Sequence, residues 1–162
     1  MTSTTPPATV PDLSFLLQHS EHVLRTRMTA ALAPLGLTPR MHCVLVHALE
    51  EERTQAQLAE IGDMDKTTMV VTMDALEKAG YAERRPSSRD RRARIVAVTE
   101  RGAEVAEQSR AIVDRVHSEV LEALPEEERV VFVRALERLV SGHLAEPVDS
   151  PRPVRRARQR SA

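Results

Sequence analysis

Residues 54–99, TQAQLAEIGDMDKTTMVVTMDALEKAGYAERRPSSRDRRARIVAVT, decide the fold. Thr54 is an N-cap with Gln57 three residues on, a capping box that starts a helix at Gln55. Gly62 stops this helix, as expected of a residue that adopts the left-handed conformation without steric cost. Asp65 caps a second helix, Lys66 to Ala79, which Gly80 closes by the same device. Two helices joined so tightly cross steeply, as in a helix-turn-helix, which offers the start of its second helix to the DNA major groove.

Tyr81 to Arg85 is strand-like, and Ala93 to Val98 alternates polar and apolar residues. Between them Pro86-Ser87-Ser88-Arg89-Asp90-Arg91-Arg92 is too polar to bury and is bent by its proline and serines. Six arginines face one aspartate from Arg84 to Arg94. A two-stranded ribbon tipped with arginines suits the minor groove, where the potential is most negative. A charge run alone would fit a solvated hairpin; its place directly after a helix-turn-helix favours DNA.

Leu37-Thr38-Pro39-Arg40, Asp65-Lys66-Thr67-Thr68, Leu76-Glu77-Lys78-Ala79-Gly80-Tyr81, Asp90-Arg91-Arg92 and Val98-Thr99-Glu100-Arg101-Gly102 follow one another in an order and spacing that resemble the multiple antibiotic resistance regulator (MarR) family. The resemblance runs from about Leu13 to Leu144. It implies a homodimeric winged-helix repressor, or occasionally an activator, that binds a double-stranded DNA operator and is often released by a small molecule, an oxidant or a metal. It also makes the first helix part of a dimer interface.

Outward from this stretch, the first ten residues are Thr/Pro-rich and read as a disordered tail. Pro11-Asp12 opens an amphipathic helix whose stripe runs through Leu13, Leu16, Leu17, Leu24, Met28, Ala31, Leu32 and Leu35, with Pro34 and Gly36 ending or bending it. Thr38-Pro39 starts the next, with Met41, Val44, Leu45, Ala48 and Leu49 as its apolar side. Thr99 caps a long helix carrying Val105, Ile112, Val116, Val120, Leu121 and Leu124. Pro125, placed in a first helical turn, and Glu126 to Glu128 restart the chain into a last helix with Val130, Val133, Leu136, Leu139 and Val140. One small domain cannot bury so many stripes, whereas a twofold mate can, and it also sets two recognition helices about one DNA turn apart on a pseudo-palindromic site.

The expected class is therefore mainly α with a small β-ribbon (α+β). A tail at 1–10 precedes an N-terminal dimerisation helix at 11–36 and a winged helix-turn-helix at 37–99. Dimerisation helices at 100–144 and a flexible basic tail at 145–162 follow. With 41 % apolar residues but no Trp, one Tyr and two Phe, the core must be aliphatic. A net charge of −1 makes any nucleic-acid affinity local, and a single cysteine excludes a disulfide framework and fits a reducing, cytoplasmic setting. No apolar run reaches membrane-spanning length, so no membrane partner is expected.

The DNA-contacting candidates are Lys66, Thr67, Thr68 and Val71 on the second helix and Arg89, Asp90, Arg91 and Arg92 in the ribbon. Asp90 is expected to brace a guanidinium in a planar pair. Where the family pattern has a polar residue and then an arginine, this chain has Val70 and Val71, and Ala75 replaces a basic residue. Valine cannot read guanine by hydrogen bonds, so a more A/T-tolerant operator follows.

For an effector, His19, His22, Arg25, His42, Cys43 and His47 are the candidates, on helices that by the resemblance border the effector region; His117 lies there too. A small anionic aromatic or lipophilic molecule with His42 or Arg25 as polar partner is the leading reading. A metal held by Cys43 and His47 or by His19 and His22, and a peroxide-reactive Cys43, are the alternatives. No cofactor and no catalytic residue is expected, because no nucleophile–base pair or phosphate-cradling glycine loop is present. A winged helix that binds proteins rather than DNA is the competing function of another class.

Overall fold

The computed structural model describes residues 11–90 and 92–148, so the tail at 1–10, the basic tail beyond 148 and Arg91 lie outside the described residues. Helix α1 (Leu13–Leu32) is capped by Asp12, whose carboxylate accepts the Phe15 N–H at 3.0 Å, and runs into a 3-10 turn, Ala33–Leu35. Gly36 then takes φ 67°, which lets the chain reverse into α2 (Pro39–Glu50). Thr38 caps α2 with proline at the first helical position, where its missing N–H costs nothing.

Helix α3 (Gln55–Ile61) starts with the full Thr54–Gln57 capping box. Helix α4 (Lys66–Ala79) starts with Asp65 accepting the Thr68 N–H at 2.7 Å and ends at Gly80 with φ 73°. Strands β1 (Ala82–Pro86) and β2 (Arg94–Val98) pair antiparallel, with Ala82 opposite Val98 and Pro86 opposite Arg94. Helix α5 (Glu100–Glu122) and helix α6 (Glu126–Val140) complete the chain.

Three expectations are corrected. Gly62 has φ −84°, and the left-handed residue in the turn is Asp63 at φ 50°. A Cβ at 62 would stand 2.5 Å from the flexible Met64 methyl and 3.3 Å from the Cys43 sulfur, so the Met64 side chain would have to move aside. Pro125 is the N-cap of α6, with extended ψ of 145°, and Glu126 is the first helical residue. Leu49, placed on the apolar side of α2, is 42 % exposed.

The chain divides into two compact units, Met1–Ser118 and Glu119–Ala162. The first holds an aliphatic core of Leu32, Val44, Leu45, Leu58, Met69, Met73, Leu76 and Val96, each at most 2 % exposed. Met69, Met73 and Leu76 recur at helical spacing, so one side of α4 is fixed inward and the other outward. In the second unit α6 leaves Val130, Val131, Phe132, Val133, Leu139 and Val140 exposed. The start of α1 does the same with Leu13, Phe15, Leu16 and Leu17. Among the described residues no helix is long and apolar enough to cross a membrane.

Candidate nucleic-acid interface

With its core side committed, α4 turns Lys66, Thr67, Val70, Val71, Asp74 and Ala75 to solvent. Val70 is 41 % and Val71 63 % exposed, in the middle of this outward face. Thr68 is half-buried and engaged with the cap, its hydroxyl donating to Asp65 at 3.1 Å as its N–H does. Of the two threonines only Thr67 lies fully on the outward face.

The ribbon is built differently from a run of free arginines. Arg84 donates from Nε to Gln55 at 3.0 Å and pairs with Asp74 at 2.7 Å and with Glu77. Its guanidinium thus ties β1 to α4 and to the first turn of α3. Arg85 pairs with Glu83. Arg89, Arg92 and Arg94 are exposed and make no ion pair among the described residues, so the unspent charge is at the tip. Arg91 belongs to the same expectation but lies outside the described residues.

Asp90 acts on the backbone: its carboxylate accepts the Arg92 N–H at 2.9 Å, and among the described residues no guanidinium reaches it. The acid that holds the tip from outside is Glu52, in the loop between α2 and α3. It accepts from the Ser87 hydroxyl, the Ser88 N–H at 3.2 Å and the Ser88 hydroxyl at 2.7 Å. These bonds hold its carboxyl below the ordinary carboxylate range. The next residues extend the sheet, since the Arg53 carbonyl accepts the Val96 N–H at 3.0 Å and Thr54 bridges Ile95. A loop acid followed by a capping threonine carries no strand pattern, so the sequence gives no sign of this third edge.

The return from the ribbon explains the Val-Thr-Glu-Arg-Gly segment. Thr99 donates its hydroxyl to the Gly80 carbonyl at 2.8 Å and accepts the Gly102 N–H at 3.0 Å. A Cβ on Gly102 would stand 1.9 Å from the Tyr81 carbonyl oxygen, so only glycine lets α5 begin there. Arg101 lies over the Tyr81 ring, 5.2 Å from its centre.

The effector candidates make separate contacts, although the His47 charge reaches His42. His42 faces α5, its Nδ1 2.7 Å from the fully buried Ser109 hydroxyl. That hydroxyl gives its one proton to the Ala106 carbonyl at 2.7 Å, so Nδ1 donates and Nε2 carries the lone pair. Burial, then Arg110, His117 and His47, push the His42 pKa down. Cys43 instead packs beside the end of α3, and burial followed by the Glu50 charge pushes its thiol pKa up. That is the opposite of a peroxide-reactive thiolate. His47 bonds Glu50 at 3.0 Å, His19 stacks on Phe15, and Arg25 pairs with Glu21 at 3.3 Å, while His22 is exposed. Among the described residues no three His, Cys, Asp or Glu side chains are grouped to hold a metal.

Comparison with known proteins matches residues 35–93 to the MarR family. A Mycobacterium tuberculosis MarR family protein, Rv2887, solved in complex with salicylic acid, is 30 % identical over 81 % of this chain and 98 % of its own, with a TM-score of 0.67. The chain belongs to the MarR family. Among other MarR structures, CouR from Rhodococcus jostii RHA1 bound to p-coumaroyl-CoA is 29 % identical, covering 83 % of this chain and 95 % of that one, with a TM-score of 0.72. CouR bound to a 23-mer DNA duplex is 25 % identical, covering 79 % and 92 %, with a TM-score of 0.71. The winged-helix architecture of MarR proteins therefore extends over the described helices and ribbon.

Proposed function

We propose that this MarR-family chain is a transcriptional repressor that binds a pseudo-palindromic operator as a homodimer and releases it on binding a small-molecule effector. The observation that carries the reading is the surface made by α4 and the ribbon. A capped helix presents Lys66, Thr67, Val70 and Val71, and the ribbon beside it presents Arg89 and Arg92 without ion-pair partners among the described residues. Lys66 serves a phosphate or a base acceptor and Thr67 either, while the wing arginines enter the minor groove. Val71, the more exposed valine, meets thymine methyls, so the operator half-sites are A/T-tolerant. Apolar side chains left open on α1 and α6 are the surfaces a second copy would cover.

His42 is the favoured polar partner for an effector. Its bare Nε2 accepts a hydrogen bond near the Arg110 charge, a combination suited to an aromatic acid or hydroxy-aromatic molecule. The salicylate and p-coumaroyl-CoA complexes of relatives support that chemical class.

The test is fluorescence anisotropy of the full chain on duplexes from its own flanking DNA, with salicylate and p-coumaroyl-CoA as competitors. Saturable binding that K66A and R89A/R92A weaken by about tenfold or more each, and that one competitor reverses, is expected. Binding no stronger than to scrambled DNA would instead support the protein-interaction reading.

A further inference from the structure

The turn that carries the wing arginines is held from within by Asp90, which accepts the Arg92 N–H, and from outside the ribbon by Glu52. Ser87 is the hub: its hydroxyl oxygen accepts the N–H groups of Arg89 at 3.1 Å and Asp90 at 3.2 Å. Its proton goes to Glu52, whose carboxylate also takes the Ser88 N–H and hydroxyl. Ser87 is buried although it lies in the most polar segment of the chain. The order is thus Glu52, then Ser87, then the backbone on which Arg89 stands.

We propose that Glu52 is a positioning residue for operator binding, fixing through Ser87 and Ser88 the pose from which the tip arginines reach the duplex. This rests on the DNA-binding reading above. Two effects compete at this residue, and they differ in sign. A carboxylate beside a phosphate-binding surface repels the ligand, so by charge alone its removal tightens binding. As an organiser, it lowers the cost of ordering the loop in the bound geometry, so its removal weakens binding. Salt screens the repulsion over about 8–10 Å, whereas the hydrogen bonds act at contact and are charge-assisted. The second effect should win.

The experiment measures affinity and its salt dependence for the full chain on a labelled duplex from its own upstream region. Wild type, E52Q, R89A/R92A and the triple variant are compared, with thermal midpoints recorded for each. E52Q should bind about tenfold more weakly and with a flatter salt slope at an unchanged midpoint. In the R89A/R92A background it should cost nothing further, because the groups it positions are gone. Tighter or unchanged binding by E52Q, or an equal loss in both backgrounds, overturns the proposal while leaving DNA binding intact. A wild type that binds no duplex overturns both. If E52Q lowers the midpoint, S87A, which removes the relaying hydroxyl and keeps the carboxylate, is judged by the same criteria.

Discussion

Gly102 has no room for a methyl group: the Tyr81 carbonyl oxygen occupies the place where a Cβ would go. Replacement by alanine must push α5 off the end of the ribbon, and G102A should lose about 2–3 kcal/mol in urea unfolding. His42 makes a second prediction at this scale. Its folded pKa lies below the ordinary 6.5, so as pH falls the unfolded chain takes up the proton first. The contribution is complete above the ordinary value and is lost on acidification between that value and the folded one. Urea midpoints of wild type should therefore drop from about pH 7.5 to about pH 5.5 by more than those of H42Q. An equal drop in both would assign the sensitivity elsewhere. Local chemistry was readable where it involved neighbours in sequence, as with the caps at Thr38, Thr54 and Asp65. It was not readable where a distant element set the demand. Met64 and Cys43 crowd the space beside Gly62, and burial followed by the Glu50 charge pushes the Cys43 thiol pKa up.

At the scale of elements, the ribbon holds two kinds of arginine that the sequence cannot tell apart. Arg84 faces Gln55, Asp74 and Glu77, acids and amides 7 to 29 residues away, and is a fastening between β1 and the helices. R84A should lower stability by about 1–2 kcal/mol in thermal or urea unfolding, whereas R89A/R92A should leave stability unchanged and act on DNA affinity alone. Equal stability losses in both variants would mean the tip arginines also serve the fold. Periodicity and capping identify α4 over its full length, because its Met69, Met73 and Leu76 stripe and its terminal Asp65 and Gly80 are all local signals. Periodicity did not identify the Arg53–Thr54 edge on β2, since a bridge of one or two residues has no repeat to recognise. The valines at 70 and 71 were visible as a departure, and their exposure makes them a matter of recognition rather than of core packing. V71R should raise affinity for half-sites with guanine at the contacted step, worth about 1–3 kcal/mol of discrimination per bidentate pair. No change in base preference across a half-site library would remove Val71 from recognition.

At the scale of the whole molecule, the open apolar side chains of α6 and of the start of α1 require explanation. Val133, Leu136 and Val140 lie together on an open apolar face of α6, beside Glu137, and added carboxylates would be buried there if a second copy packs on that face. V133E/V140E should therefore yield monomers in sedimentation and weaken operator binding by about a hundredfold, since each copy alone reads one half-site. A dimer that survives these changes would place the contact elsewhere. Two copies that set their capped helices and arginine-tipped ribbons on one side of a duplex leave a defined hydroxyl-radical footprint on the chain's own upstream DNA. Two protected major-groove segments about one helical turn apart, flanked by minor-groove protections that R89A/R92A removes, are expected. A single protected segment, or flanking protections indifferent to R89A/R92A, would contradict that arrangement.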